Sequence, residues 1–279
     1  MSAMEKDILD FTPPPLATVE RALKLRSLYF DPHFYGLDNV DRERPALYVG
    51  NHTIYGTLDA PLIYATLYRE KNIVLRSLGD SFHWKVPVWR DILTQSGTVP
   101  GTRENCARLM EAGEHVLVFP GGGREVAKRK GEEYKLTWKT RTGFAHMAIK
   151  YQYPIIPVAS VGADDAYEVV YDSYDFQQSM LGKLLMKSKV VREQLRDGDV
   201  FMPVSKGVGI TPIPRPERFH FAFGEPIDTS EFIGQENNLE VQWQLRKRVQ
   251  DALESEIAAL RNIRSHEQLP GWRKLLTKR

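Results

Sequence analysis

Two residues able to do acid–base chemistry, His52 and Asp59, follow an apolar run in Tyr48-Val-Gly-Asn-His-Thr-Ile-Tyr-Gly-Thr-Leu-Asp-Ala-Pro-Leu62. A hydroxyl is a weak nucleophile at neutral pH. Moving an acyl group onto it needs a base to take its proton, usually a histidine oriented by a carboxylate. On an unbroken helix, positions seven apart lie about 10 Å apart along the axis, too far for a hydrogen bond. A turn must therefore intervene, and Gly56 can adopt the positive φ such a turn needs. Asp59 would then start the next helix and face back to His52. The same residues also fit a purely structural role, with Asp59 capping a helix that begins at Ala60-Pro61 and His52 bonding a loop carbonyl. The two roles are compatible.

Two further stretches could hold a ligand. His115-Val-Leu-Val-Phe119 runs directly into Pro120-Gly-Gly-Gly-Arg-Glu125, and successive glycines let backbone N–H groups approach a ligand closely. Arg124 beside them can pair with phosphate or carboxylate. The spacing is neither that of a nucleotide-binding Gly-Lys-Ser/Thr loop nor that of a dinucleotide fingerprint. Gly97-Thr-Val-Pro-Gly-Thr-Arg103 is rich in turn residues. Its Thr102 is placed to cap a helix over Arg103–Glu111, with Gly113 past its end. A cation at a helix amino terminus gains nothing from the helix dipole, so Arg103 is either held for an anionic ligand or simply solvated. From Arg124 to Arg141 seven basic residues (Arg124, Lys128, Arg129, Lys130, Lys135, Lys139, Arg141) face three acids (Glu125, Glu132, Glu133). That excess suits an anionic head group or a solvated charged face.

The elements that must position these residues alternate. Strands are expected over Ala46–Val49, Asn72–Leu75, His115–Phe119, Pro154–Ser160 and Phe219–Phe223, and helices over Pro61–Glu70, Arg103–Glu111 and Gly143–Tyr151. This order predicts an α/β fold with a mixed, mostly parallel central sheet flanked by helices. His52 and Gly121 to Arg124 should then converge at the carboxyl ends of neighbouring strands, where open α/β sheets place their ligands. Residues 1–34 read as an N-terminal amphipathic helical segment, and 35–230 as the α/β domain. Residues 231–279 read as a C-terminal helix and basic tail packed on that domain, with Val241, Leu245, Val249, Leu253, Ile257 and Leu260 at helical spacing. Residues 175–196 read as one basic, leucine-rich helix, either packed on the sheet or touching a membrane.

Composition excludes several classes. Hydrophobic residues at 42% and charged residues at 27% fit a globular protein and exclude disorder. A net charge of +2 says little about partners, and no nucleic acid is expected among them. The lone Cys106 cannot form an internal disulfide and fits a reducing compartment. The seven histidines show no metal-ligand spacing, so no metal is expected. No run approaches the roughly 18 apolar residues of a membrane span, and the first residues lack a signal peptide's basic start and apolar core. A cytoplasmic protein, peripherally associated with membranes, is the expectation. Its basic tail, Trp272-Arg-Lys-Leu-Leu-Thr-Lys-Arg279, supports membrane contact.

Taken in order, these segments resemble the lysophospholipid and glycerolipid acyltransferase superfamily over roughly residues 35–230. Asn51-His52 matches the first block, although six residues rather than the usual four separate His52 from Asp59. Gly97 to Arg103 resembles the second block, Gly-x-Ile-x-x-x-Arg, whose arginine holds the acceptor's phosphate or polar head. Phe119-Pro-Gly-Gly-Gly-Arg-Glu125 resembles the third, Phe-Pro-Glu-Gly-Thr-Arg, with Gly121 where the family has glutamate. Pro154-Ile-Ile-Pro-Val158 resembles the fourth. The altered third block, with Lys130-Gly-Glu-Glu-Tyr-Lys-Leu136 after it, is most similar to the diacylglycerol acyltransferase and phytyl-ester-synthase branch, whose acceptors are neutral alcohols. The resemblance implies transfer of a fatty acyl chain from acyl-CoA or acyl carrier protein to a lipid hydroxyl, with no cofactor beyond that co-substrate. It makes His52 the base and Asp59 its orienting acid. It puts Asn51, Arg103, Gly121, Gly122, Gly123, Arg124 and Glu125 around the substrates, the glycine N–H groups stabilising the oxyanion and Arg124 on a phosphate. The alternatives are thioester hydrolysis, or a lipid-binding module without turnover.

Overall fold

The computed structural model describes residues 7–277, the side chains of 81, 82 and 197 excepted. The chain begins with α1 (Leu16–Phe30) and the short β1 (His33–Tyr35), then enters the centre of the fold at β2 (Leu47–Gly50). After it come α2 (Ala60–Lys71), β3 (Arg76–Gly79), α3 (Pro87–Gln95), β4 (Thr98–Pro100), α4 (Arg103–Glu111) and β5 (Val116–Val118). The one-turn α5 (Gly122–Val126), α6 (Gly143–Tyr151) and β6 (Ile155–Val161) follow. An excursion then runs through β7 (Glu168–Tyr171), α7 (Ser173–Gln178), α8 (Met180–Leu185), α9 (Lys189–Gln194) and β8 (Val204–Lys206). The chain returns to the sheet as β9 (His220–Phe223) and ends in the 28-residue α10 (Leu239–His266) and α11 (Gly271–Leu276).

Seven strands form one sheet in the order β1-β9-β6-β2-β5-β3-β4. Strands β6, β2, β5, β3 and β4 are mutually parallel, β9 runs antiparallel to β6, and β1 is parallel to β9. The sheet is therefore mixed and mostly parallel. Period-two alternation sends Leu47, Val49, Val116 and Val118 to one face, where they meet α4, α6 and the buried stripe Val241, Leu245, Val249, Leu253, Ile257 and Leu260 of α10. Tyr48 and Leu117 point to the other face, against Phe30 at the end of α1 and Leu62, Ile63 and Leu67 of α2. Because both faces are covered, the central strands carry unbroken apolar runs.

Two expectations need correction. The strand after α2 is Arg76–Gly79, not Asn72–Leu75. Asn72 turns left-handed (φ 52°) to end α2, and the Ile73 N–H bonds back to the Leu67 carbonyl, so these residues close the helix instead of extending. The segment 175–196 is three short helices, because Ser179 and Ser188 each take an extended conformation at a helix start. Among the described residues no helix is long and apolar enough to cross a membrane.

Candidate active site

Strands β2 and β5 are neighbours in parallel register, Val49 opposite Val118, so the segments leaving their carboxyl ends must meet. They meet at His52. The Phe119 ring stacks on the imidazole with centroids 4.0 Å apart and planes 8° from parallel. Phe119 reaches over β2 because Gly50 has no side chain: a Cβ there would lie 2.8 Å from Phe119 Cε1. Asn51 is buried and ties the ends of β2 and β6 together, its Nδ2 donating to the Ser160 carbonyl (2.9 Å) and its Oδ1 accepting from the Ser160 N–H (2.8 Å). It braces the strand ends, with its amide nitrogen and its amide oxygen each bonded to Ser160.

After His52 the chain makes a single 3₁₀ turn over Ile54–Gly56, and Gly56 takes the expected positive φ of 63°. This glycine lies against the imidazole, since a Cβ built on it would fall 2.3 Å from His52 Cε1. Asp59 then caps α2, its Oδ1 accepting from the Ala60 N–H at 2.9 Å. No hydrogen bond joins Asp59 to His52. Both His52 Nδ1 and Asp59 Oδ2 are buried atoms without a hydrogen-bond partner among the described residues. Burial raises the Asp59 pKa above the usual carboxylate value. Burial, reinforced by the positive charge of Lys128, pushes His52 down to about 3. The Nδ1 atom is sealed from solvent, and the downward shift keeps the ring neutral at pH 7.

The glycine segment lies beside the histidine. Gly121 has an ordinary helical φ of −68°, Gly122 turns with φ 48°, and the Gly122 N–H bonds the Phe119 carbonyl at 2.9 Å. Gly123 is overlaid by the excursion between β6 and β9, with Val200 Cγ1 3.0 Å from where its Cβ would be. Arg196 of that excursion grips Asp80 through both guanidinium nitrogens, at 2.7 and 3.0 Å. Arg124, expected on a substrate phosphate, is instead buried. Its Nη2 bonds Glu132 Oε1 at 2.5 Å, its Nη1 donates to the Ala127 carbonyl, and Asp199 lies 3.6 Å from its Nε. Three protein groups thus occupy the guanidinium. Glu125, expected at the substrate, is fully buried, and its Oε2 accepts from the His52 backbone N–H at 3.2 Å.

Arg103 sits at the start of α4, where Thr102 caps the helix by accepting from the Asn105 N–H at 3.0 Å. It borders a cavity of about 500 Å³ that is also lined by the polar Thr102, Arg141 and Thr142 and the apolar Leu78, Val118, Phe144 and Met147. Phe119 and Gly122 belong to the wall of this cavity, although His52 does not. The cavity therefore adjoins the histidine across the Phe119 ring.

Sequence reasoning missed two buried ions. Lys128, lost among its basic neighbours, and Asp164, just past the end of β6, lie 3.4 Å apart with almost no exposure. Asp164 Oδ1 accepts from the Ile54 N–H at 2.7 Å, and Oδ2 from the Tyr134 N–H at 2.8 Å. An acid directly after a central parallel strand was the available signal for Asp164. Among the described residues no group of histidine, cysteine and acidic side chains could hold a metal ion.

A family model described as Acyltransferase matches residues 31–161. The chain is 33% identical over 270 residues to phytyl ester synthase 2, chloroplastic, of Arabidopsis thaliana, a match covering 88% of this chain and 36% of that protein. It is 33% identical over 210 residues to phytyl ester synthase 1, chloroplastic, of the same plant, covering 70% and 29%. The chain thus spans about a third of the length of these relatives. Among solved structures, the 1-acyl-sn-glycerophosphate (LPA) acyltransferase PlsC from Thermotoga maritima shares the fold, with a TM-score of 0.52 at 16% identity over 91% of this chain and 81% of that one.

Proposed function

This chain belongs to the acyltransferase superfamily, and from that premise we propose that it is an O-acyltransferase moving a fatty acyl chain from an acyl thioester to the hydroxyl of a lipid alcohol. The observation that carries this reading is the neutral imidazole of His52, held against Phe119 beside the glycine segment at the carboxyl ends of β2 and β5. A neutral imidazole can accept a proton without first losing one. In the proposed step His52 takes the hydroxyl proton as the alcohol oxygen attacks the thioester carbonyl. The tetrahedral intermediate then collapses, the C–S bond breaks, and the leaving thiolate takes that proton from the imidazolium. Asp59 is the orienting acid. Asp59 Oδ2 and His52 Nδ1, on either side of the 54–56 turn, are an acceptor and a donor that both lack a partner among the described residues, and hydrogen bonds loose in a free enzyme tighten around substrate. Backbone N–H groups of Gly121 and Gly123 are the proposed donors to the oxyanion. Arg124 is left out of the site, because its partners are Glu132 and Asp199.

The donor is acyl-CoA or acyl carrier protein, and Arg103 in its cavity is the proposed partner for the phosphate that both carry. The similarity to phytyl ester synthases favours a neutral acceptor such as phytol or another long-chain alcohol. Substrates of this kind are held in membranes, and peripheral binding is part of the proposal. It is supported by α8, where Met180, Leu181 and Leu184 are exposed beside Lys183 and Lys187, and by Trp272 and Leu275 on α11. The last two residues of the basic tail lie outside the described residues. The test is a donor-by-acceptor screen read by mass spectrometry. Ester formation that His52→Ala abolishes, with the fold intact by circular dichroism, supports the reading. Free fatty acid in the presence of saturating alcohol would instead make the protein a thioesterase, and lipid binding without turnover would make it a binding module.

A further inference from the structure

We propose that Glu125 is a positioning residue for His52: its carboxylate, seated in the space that a side chain at Gly121 would fill, holds the His52 backbone amide and so fixes where the imidazole stands. Three observations meet here. The first is the glycine itself. Gly121 has a φ of −68°, which any residue adopts, so backbone freedom is not why it is glycine. A Cβ at this position would lie 2.0 Å from Glu125 Oε2 and 2.5 Å from Glu125 Cβ. The absent side chain is the condition for Glu125 to fold inward.

The second observation is what that carboxylate grips. Oε2 accepts from the His52 N–H at 3.2 Å and Oε1 from the Thr137 N–H at 3.3 Å. Two residues on, Asp164 accepts from the Ile54 N–H at 2.7 Å. The backbone on both sides of Thr53 is thereby held by buried carboxylates reaching in from different strand ends. The third is charge. Lys128 lies 3.4 Å from Asp164, and its charge also opposes the rise that burial imposes on Glu125, to about 7. One buried ammonium serves both carboxylates, and such a cluster is costly to assemble unless its geometry is needed. Two of its backbone bonds, from the His52 and Ile54 N–H groups, end on the turn that carries the proposed base, and the other two hold the 134–137 loop beside it.

Two variants test the inference. Glu125→Met keeps the length of the side chain but can accept from neither amide, and Gly121→Ala leaves the carboxylate intact while displacing it with a methyl group. The first readout is hydrogen–deuterium exchange of the 47–58 peptide. Both variants should exchange at the His52 amide at least about tenfold faster than the native protein, because a lost acceptor frees that N–H. The second readout rests on the acyltransferase reading: kcat should fall by about tenfold to 100-fold, the expected effect of roughly 1 Å of misplacement, with KM for both substrates within about twofold. A loss of packing alone would move the melting temperature without that split. The inference is overturned if either folded variant keeps both native protection at His52 and native kcat. If the native protein has no acyltransferase activity, the functional reading fails and the exchange measurement alone decides the positioning.

Discussion

Replacing Gly56 with alanine should disable the protein by a route the structure allows to be worked through. Its φ of 63° is the left-handed region, where a Cβ costs about 1–2 kcal/mol. The new methyl would stand 2.3 Å from His52 Cε1 and 2.8 Å from Nε2, whereas carbon atoms in contact sit about 3.5 Å apart. The ring must therefore retreat by about 1 Å, and Phe119 stacked on it at 4.0 Å resists. Overpacking of this kind costs about 1–3 kcal/mol, for a total of about 2–5 kcal/mol. A base misplaced by roughly 1 Å loses about 100-fold in rate. Gly113 provides the control, since its φ is 74° but nothing lies within 4 Å of a Cβ there. Gly113→Ala should lose only the backbone part, about 1–2 kcal/mol, and keep its kcat. Chemical denaturation and steady-state acyl transfer on the two variants decide the matter. Equal kcat values for Gly56→Ala and Gly113→Ala would refute the placement of the chemistry at the His52 ring.

Stability should depend on pH through His52. Its folded pKa, about 3, lies below the free value of 6.5, so the unfolded chain binds the extra proton between those values. The contribution is complete above pH 6.5 and is lost toward pH 3 by at most about 1.4 kcal/mol per pH unit. Melting curves of the native protein and His52→Gln should converge on acidification, and parallel curves would contradict the burial of the ring. Asn51→Ala removes both bonds to Ser160 from a buried site, and urea titration should show a loss of about 2–4 kcal/mol. Arg103→Ala should raise KM for a phosphate-bearing donor by about tenfold or more with kcat little changed. An unaltered KM would remove the cavity from the donor path.

Much of the frame was legible because local rules and tertiary structure agree. Runs such as Leu47-Tyr-Val and Val116-Leu-Val are apolar on both faces and can only be central strands of a covered sheet. Thr102, Asp59 and Gly113 act where local chemistry places them, at helix ends. The stripe from Val241 to Leu260 marked α10 by its spacing alone. A sequence of side-chain types and spacings carries that information directly.

What the tertiary structure alone decided is the role of each charge. Arg124 and Glu125 sit next to each other and read as a ligand-binding pair, yet one is enclosed by Glu132 and Asp199 and the other turns inward to His52. Lys128 looked like one of seven basic surface residues and is buried against Asp164, 36 positions later. An ionisable side chain behaves according to its depth and to partners that are distant along the chain, and neither is written in its neighbours. The sequence determined that His52, glycines and ions would gather at the carboxyl ends of the strands. Which ions are enclosed by protein partners, and which bond the backbone around His52, was settled only when β2, β5 and β6 came side by side.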